Sequence, residues 1–256
     1  MHMYEGLRFS FSEMDKELDN MHRLSSGFVT LESSARIIPA LRRDLANFRS
    51  APAESSTVWE IRKDDPIQTN PSNGAYEPGE RRGGLNVLGR VCGKWQIRLP
   101  KEVKKRFSQS KDFILFGLAS TEISIWEVNE RQEKEIARWT IEIGDATSPG
   151  CHFHTQITLD DEDNKFPSTL SVPRLPGLLH TPMDALEYLL GELFQDEWYR
   201  NASKGTNVVN AWAACQKNRI VNLLKWQTER LLNTGGSPWT MLKRQKPTIG
   251  MLMGEN

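Results

Sequence analysis

His152 and His154 stand two residues apart in the densest polar cluster of the chain, Pro149-Gly150-Cys151-His152-Phe153-His154-Thr155-Gln156. Side chains alternate along a strand, so His152, His154 and Gln156 share one face while Cys151, Phe153 and Thr155 take the other. Two imidazoles side by side suit a metal or a divided acid–base role. Zinc or manganese is the expected ion, and zinc asks for a third and usually a fourth ligand at about 2.0 to 2.3 Å. His180, Glu187 and the run Asp160-Asp161-Glu162-Asp163 are the candidate suppliers, giving His152, His154 and His180 as the leading metal set. A metal-free version takes a histidine as general base and Arg174 as anion clamp. His152, His154 and Arg174 then form the catalytic set of a phosphodiesterase or nuclease-like hydrolase. The paired H-x-[ST] motifs of two-histidine phosphoesterases are absent, because His154 occupies the place of the hydroxyl. The plainer account is a pair of polar rings hydrogen-bonded on the wetter face of a sheet, and H-x-H alone is a weak motif.

Cys151 adjoins His152, but neighbouring strand residues point to opposite faces, so that histidine cannot activate the thiol. Cys92, Cys151 and Cys215 read instead as small buried hydrophobes. Three widely spaced cysteines make neither a disulfide framework nor a zinc ribbon, and point to a reducing cytoplasm. The glycines of Gly83-Gly84-Leu85-Asn86-Val87-Leu88-Gly89 lack the Lys-Ser/Thr of a P-loop and the helix context of a dinucleotide fingerprint.

A second constellation lies near the C-terminus. Asp145 to Glu197 holds ten acidic residues against Lys165 and Arg174, whereas Arg200 to Lys246 holds nine basic residues against Glu229. Lys217, Arg219, Lys225, Arg230, Lys243 and Arg244, interleaved with Trp212, Trp226 and Trp239, have the composition of a phosphate-tracking surface with stacking platforms. Arg219, Trp226 and Arg230 fall on one helix face, expected opposite much of the apolar stripe. The bland alternative is a solvated basic face over tryptophans that fill the core.

These residues must be positioned by a chain of 256 residues with 33 basic and 33 acidic side chains, 38% hydrophobic residues and 8 tryptophans. Zero net charge excludes nucleic-acid or anionic-membrane binding through overall field alone. No apolar run approaches the roughly 18 residues of a membrane span, and the polar start lacks a secretory signature. A cytoplasmic, soluble protein is expected.

Spacings of three and four among Met14, Leu18 and Met21, and again among Leu41, Leu45 and Phe48, predict two helices within residues 1–50, joined at Ser25-Ser26-Gly27. Pro39 requires the second to begin near Ile38 or to kink there. Residues 51–84 are rich in proline and glycine and read as a linker, with a short strand around Val58 to Arg62. Residues 85–246 read as the main domain. Its period-two stretches give five strands: Val87 to Leu99, Phe113 to Leu118, Ile123 to Val128, Ile136 to Ile143 and Cys151 to Leu159. Their short connections demand an antiparallel meander. Thr181, Pro182 and Asp184 open a helix ending near Trp198 or Tyr199. A second helix spans about Asn207 to Asn233, with Trp212, Ile220, Leu223, Leu224, Gln227 and Leu231 as its buried face. Residues 247–256 form a tail. The expected class is α+β, an antiparallel sheet between N-terminal and C-terminal helices.

The function expected first is a cytosolic binding or accessory subunit of a larger assembly. It contacts a protein or nucleic-acid partner through the basic, tryptophan-bearing C-terminal helices. The alternative is the hydrolase centred on His152 and His154.

Overall fold

Apolar spacing forms the N-terminal helices where it predicts them. In the computed structural model, which describes residues 6–72, 86–101, 110–130, 132–143, 153–157, 175–177, 181–233 and 235–238, α1 (Phe11–Leu24) buries Phe11, Met14, Leu18 and Met21. Ser10 caps it by accepting the Glu13 amide at 3.4 Å, which satisfies one of the open N–H groups of a helix start. The Ser25-Ser26-Gly27 connection is a turn with Gly27 at φ 91°, a region open to glycine without strain. Proline lacks an amide hydrogen and clashes with the preceding turn. The chain accommodates Pro39 with a π-helical stretch over Ser33–Ile37, then enters α2 (Ile38–Arg49) with the proline in its first turn.

The sheet contains β1 (Leu7–Ser10), β2 (Ser56–Ile61), β3 (Ile67–Gln68), β4 (Val87–Arg98), β5 (Asp112–Val128), β6 (Glu133–Ile143), β7 (Phe153–Ile157) and β8 (Leu175–Pro176). Its order is β2-β4-β5-β6-β7-β8, with β1 beside β5 and β3 beside β4, and all neighbours are antiparallel. The fold is therefore α+β, and β4 to β7 make the expected meander, which β8 extends beyond the expected strands. Val58 to Ile61 lie in β2 as the alternation predicted, and β3 also comes from the 51–84 segment. Residues 73–85 and 247–256 lie outside the described residues.

The middle of the sheet departs from the expected strands. Phe113 to Leu118 and Ile123 to Val128 were expected as two strands parted by a turn at Ala119-Ser120-Thr121, but they form the single strand β5. Those three residues pair with Trp95, Lys94 and Gly93 on one side and with Ile143, Glu142 and Ile141 on the other. Small polar residues that resemble a turn are here held in extension by two partner strands. An irregularity comes earlier, where the β4 register shifts between Trp95 and Ile97 and Gly117 takes φ 69°. A bulge of this kind bends the strand. Before it β5 pairs with β1, and after it with β6.

Alternation gives the sheet one apolar face. Trp95 packs edge-on against Trp59 at 5.6 Å and tilted against Phe9 at 5.7 Å, while the Trp59 indole donates to the Leu41 carbonyl at 3.2 Å and so ties α2 to β2. A capping box opens α3 (Pro182–Ala202): Thr181 Oγ1 accepts the Asp184 amide at 3.1 Å, and Asp184 Oδ2 accepts the Thr181 amide at 3.0 Å. Expected to end near Trp198 or Tyr199, α3 continues to Ala202 across a break at Gln195. It lies so close to β4 that a Cβ on Gly89 would sit 2.5 Å from a Leu189 methyl carbon. Leu189 is fully buried, so Gly89→Ala is expected to destabilise by about 1 to 3 kcal/mol. Urea unfolding checks this, and a change within about 0.5 kcal/mol, typical of a surface site, contradicts so close an approach. The last described helix, α4 (Asn207–Asn233), has the predicted bounds and packs against α1. Among the described residues no helix is long and apolar enough to cross a membrane.

Candidate functional site

The register that builds the apolar face leaves a polar face on the other side of the sheet. There β7 places His154 opposite Glu142 and Gln156 opposite Thr140. His154 is only 2% exposed. Its Nε2 lies 3.0 Å from Glu142 Oε2 and 3.1 Å from the Gln156 amide nitrogen, which itself donates to Glu142 at 3.4 Å. A base or metal ligand needs a ring nitrogen aimed at a substrate or an ion. This nitrogen is engaged by its own chain, in a contact that joins β6 to β7. Among the described residues no group of three histidine, cysteine or acidic side chains could hold a metal. His152, Arg174 and His180 lie outside the described residues.

Other polar side chains of the sheet are also internally paired. Lys63 meets Glu122 at 2.8 Å, Arg138 meets Glu135, and Arg90 lies 4.5 Å over the Trp126 ring while donating to Gln68 at 2.8 Å. Cys92, beside Glu122, is raised by burial and then by that carboxylate to about 12. It is a neutral thiol, not a nucleophile.

The C-terminal constellation is divided by α4 in a way that spacing alone did not reveal. Trp212, Gln216, Arg219, Leu223 and Trp226, recurring at four and three residues, are all buried. Arg219 and Trp226, expected on an outward phosphate-tracking face, thus lie on the inner one. The cause is a pair of carboxylates beneath the helix. Arg219 Nη2 binds Glu17 Oε2 of α1, and Nη1 donates to Asp184 Oδ2 of α3 at 3.0 Å. The Thr181 hydroxyl also donates to Glu17, and the Trp212 indole donates to Glu187 at 2.7 Å. A planar guanidinium can serve both acids at once, which makes arginine the fitting residue.

Burial raises Glu17 from the usual 4.5 to about 7 against the opposing charge of Arg219, and Asp184 adds to the rise. A carboxyl with a raised folded-state pKa contributes stability that is complete below the unfolded value and lost as pH climbs through the folded one. Stability is therefore expected to decline between about pH 4.5 and 7. Glu17→Gln should flatten that slope in urea unfolding followed against pH; parallel slopes for the two chains contradict the assignment.

The outer side of α4 carries the opposite surprise. Ile220, Leu224 and Leu231, expected in the buried stripe, are 44%, 47% and 38% exposed, with Val221 at 38% and Leu232 at 80% beside them. The Arg219 network fixes the helix rotation and leaves these side chains outside. Lys217 and Lys225 are exposed on the same surface. The side chain of Arg230, together with Lys243 and Arg244, lies outside the described residues. A signal for the inward arginine was present in α1, where Glu17 interrupts the apolar series Met14, Leu18 and Met21. A carboxyl on an apolar face calls for a buried partner or is driven toward its neutral form. Compared with protein-family models, with curated proteins and with solved structures, the chain matches none.

Proposed function

We propose that this chain is a binding subunit of a larger assembly and that it docks a protein through the outward face of α4. The observation that carries this reading is the aliphatic surface of Ile220, Val221, Leu224, Leu231 and Leu232, exposed over successive turns of one helix. Exposed aliphatic side chains grouped on one surface mark interaction sites in folded proteins, and a helix face is a common recognition element. The same arrangement favours protein over nucleic acid. Single-stranded nucleic acid needs exposed aromatic platforms, whereas Trp212 and Trp226 are buried and Arg219 serves Glu17 and Asp184. The hydrolase alternative has no comparable support, because His154 is closed in by Glu142 and Gln156. Cys92 and Cys215 are free thiols, which supports a reducing, cytoplasmic setting for the assembly.

The test is sedimentation of native extracts. The chain should travel in a particle larger than its own 29.3 kDa, and Ile220→Glu with Leu224→Glu should return it to free-chain mobility without lowering its melting temperature. Free-chain mobility from the outset, or a particle indifferent to both glutamates, contradicts the reading.

A further inference from the structure

Given the docking reading above, on which this inference rests, the geometry points to a partner of defined chemistry: an acidic amphipathic helix that lies along α4. Shape supplies the first half of the argument. Ile220 to Leu232 covers thirteen residues, about 18 Å of helix from the first to the last at 1.5 Å rise per residue. Ile220, Leu224 and Leu231 form a ridge, with Val221 and Leu232 along one side. A ridge at spacings of three and four packs into the groove of another helix carrying the same period. An extended strand gains nothing comparable, because the backbone of α4 is already hydrogen-bonded within the helix.

Charge supplies the second half. From Asn207 to Thr228 α4 contains no aspartate or glutamate, and the first carboxylate is Glu229. Lys217 and Lys225, exposed beside the apolar ridge, meet no carboxylate among the described residues. The ridge is therefore bordered by two cations that have no carboxylate partner among the described residues. Carboxylates on the rim of an incoming helix would satisfy them and fix its register, while a basic partner would be repelled. A second copy of this chain would bring lysine borders together, so a different protein fits better.

Two fluorescein-labelled peptides of about 18 residues, long enough to cover the ridge, provide the test. Both carry leucines at spacings of three and four; one has glutamates on its rim and the other lysines. With the full-length chain at low salt, anisotropy should show the glutamate peptide binding about tenfold tighter, a margin that shrinks as salt screens the lysines. Lys217→Glu with Lys225→Glu should reverse the preference, and Leu224→Glu should abolish binding of both peptides. Equal affinities, or no binding of either peptide, overturn the acidic partner, as does flotation of the chain with phosphatidylserine vesicles that the glutamate peptide cannot displace. A native particle that still dissolves on Ile220→Glu with Leu224→Glu, alongside equal peptide affinities, leaves docking standing and removes only the acidic helix. A particle indifferent to those glutamates removes docking itself.

Discussion

Arg219→Ala is expected to lower the unfolding free energy by about 3 to 5 kcal/mol, the usual cost of removing one partner from a buried ion pair. The size follows from what remains behind. Glu17 and Asp184 would keep their places under α4 without the guanidinium that joins them, and Glu17 is 2% exposed. Water cannot easily replace the lost donors there. Because the network links α1, α3 and α4, the loss should appear first as detachment of α4, seen as rapid amide exchange from Asn207 onward. Removing charge from both sides tests the cause. Glu17→Leu with Arg219→Leu should recover much of the loss, since apolar replacement of a complete buried pair is often near neutral. Lys217→Ala, on the exposed side, should stay within about 0.5 kcal/mol. An Arg219→Ala chain as stable as the Lys217→Ala chain would contradict the buried network.

Trp95→Ala should cost a similar amount, about 3 to 5 kcal/mol, for a different reason. Trp95 is 1% exposed and packs against Trp59 and Phe9, and its indole reaches Thr121 Oγ1 at 3.3 Å. Truncation opens a cavity where β2, β4 and β5 meet under the helices, and it orphans the Thr121 contact. The two substitutions should differ in reach. Loss of Trp95 weakens the sheet as a cooperative whole, so its amide exchange should accelerate throughout, whereas loss of Arg219 acts chiefly on the helical layer. Urea unfolding measures the first quantity; a loss under about 1 kcal/mol, small for a core tryptophan, contradicts this packing.

Local chemistry made much of the fold legible. Pro39, the Thr181 capping box and the bounds of α4 each follow from rules acting within a few residues. What escaped depended on distant partners. Ala119 to Thr121 resemble a turn until β4 and β6 are seen to flank them. The strand β1 is short, and its identity comes from pairing with β5 over a hundred residues away. The same limit governed the candidate site. Helical spacing correctly placed Arg219 and Trp226 on one face of α4, but spacing is blind to which face turns inward. Two carboxylates from α1 and α3 decided that rotation, and the decision moved Ile220, Leu224 and Leu231 to the outside. For His154, the shared face with Gln156 was legible from alternation. Its closure by Glu142 was not, because Glu142 belongs to another strand.

What touches α4 in the cell decides most directly whether that helix docks a protein. A photoactivatable amino acid installed at Leu224, with Lys94 on the exposed sheet surface as the control position, should after irradiation give an adduct at Leu224 alone. That adduct should vanish with protease and survive nuclease. Adducts of nucleic acid, equal labelling from both positions, or no adduct at Leu224 would contradict a protein-docking α4.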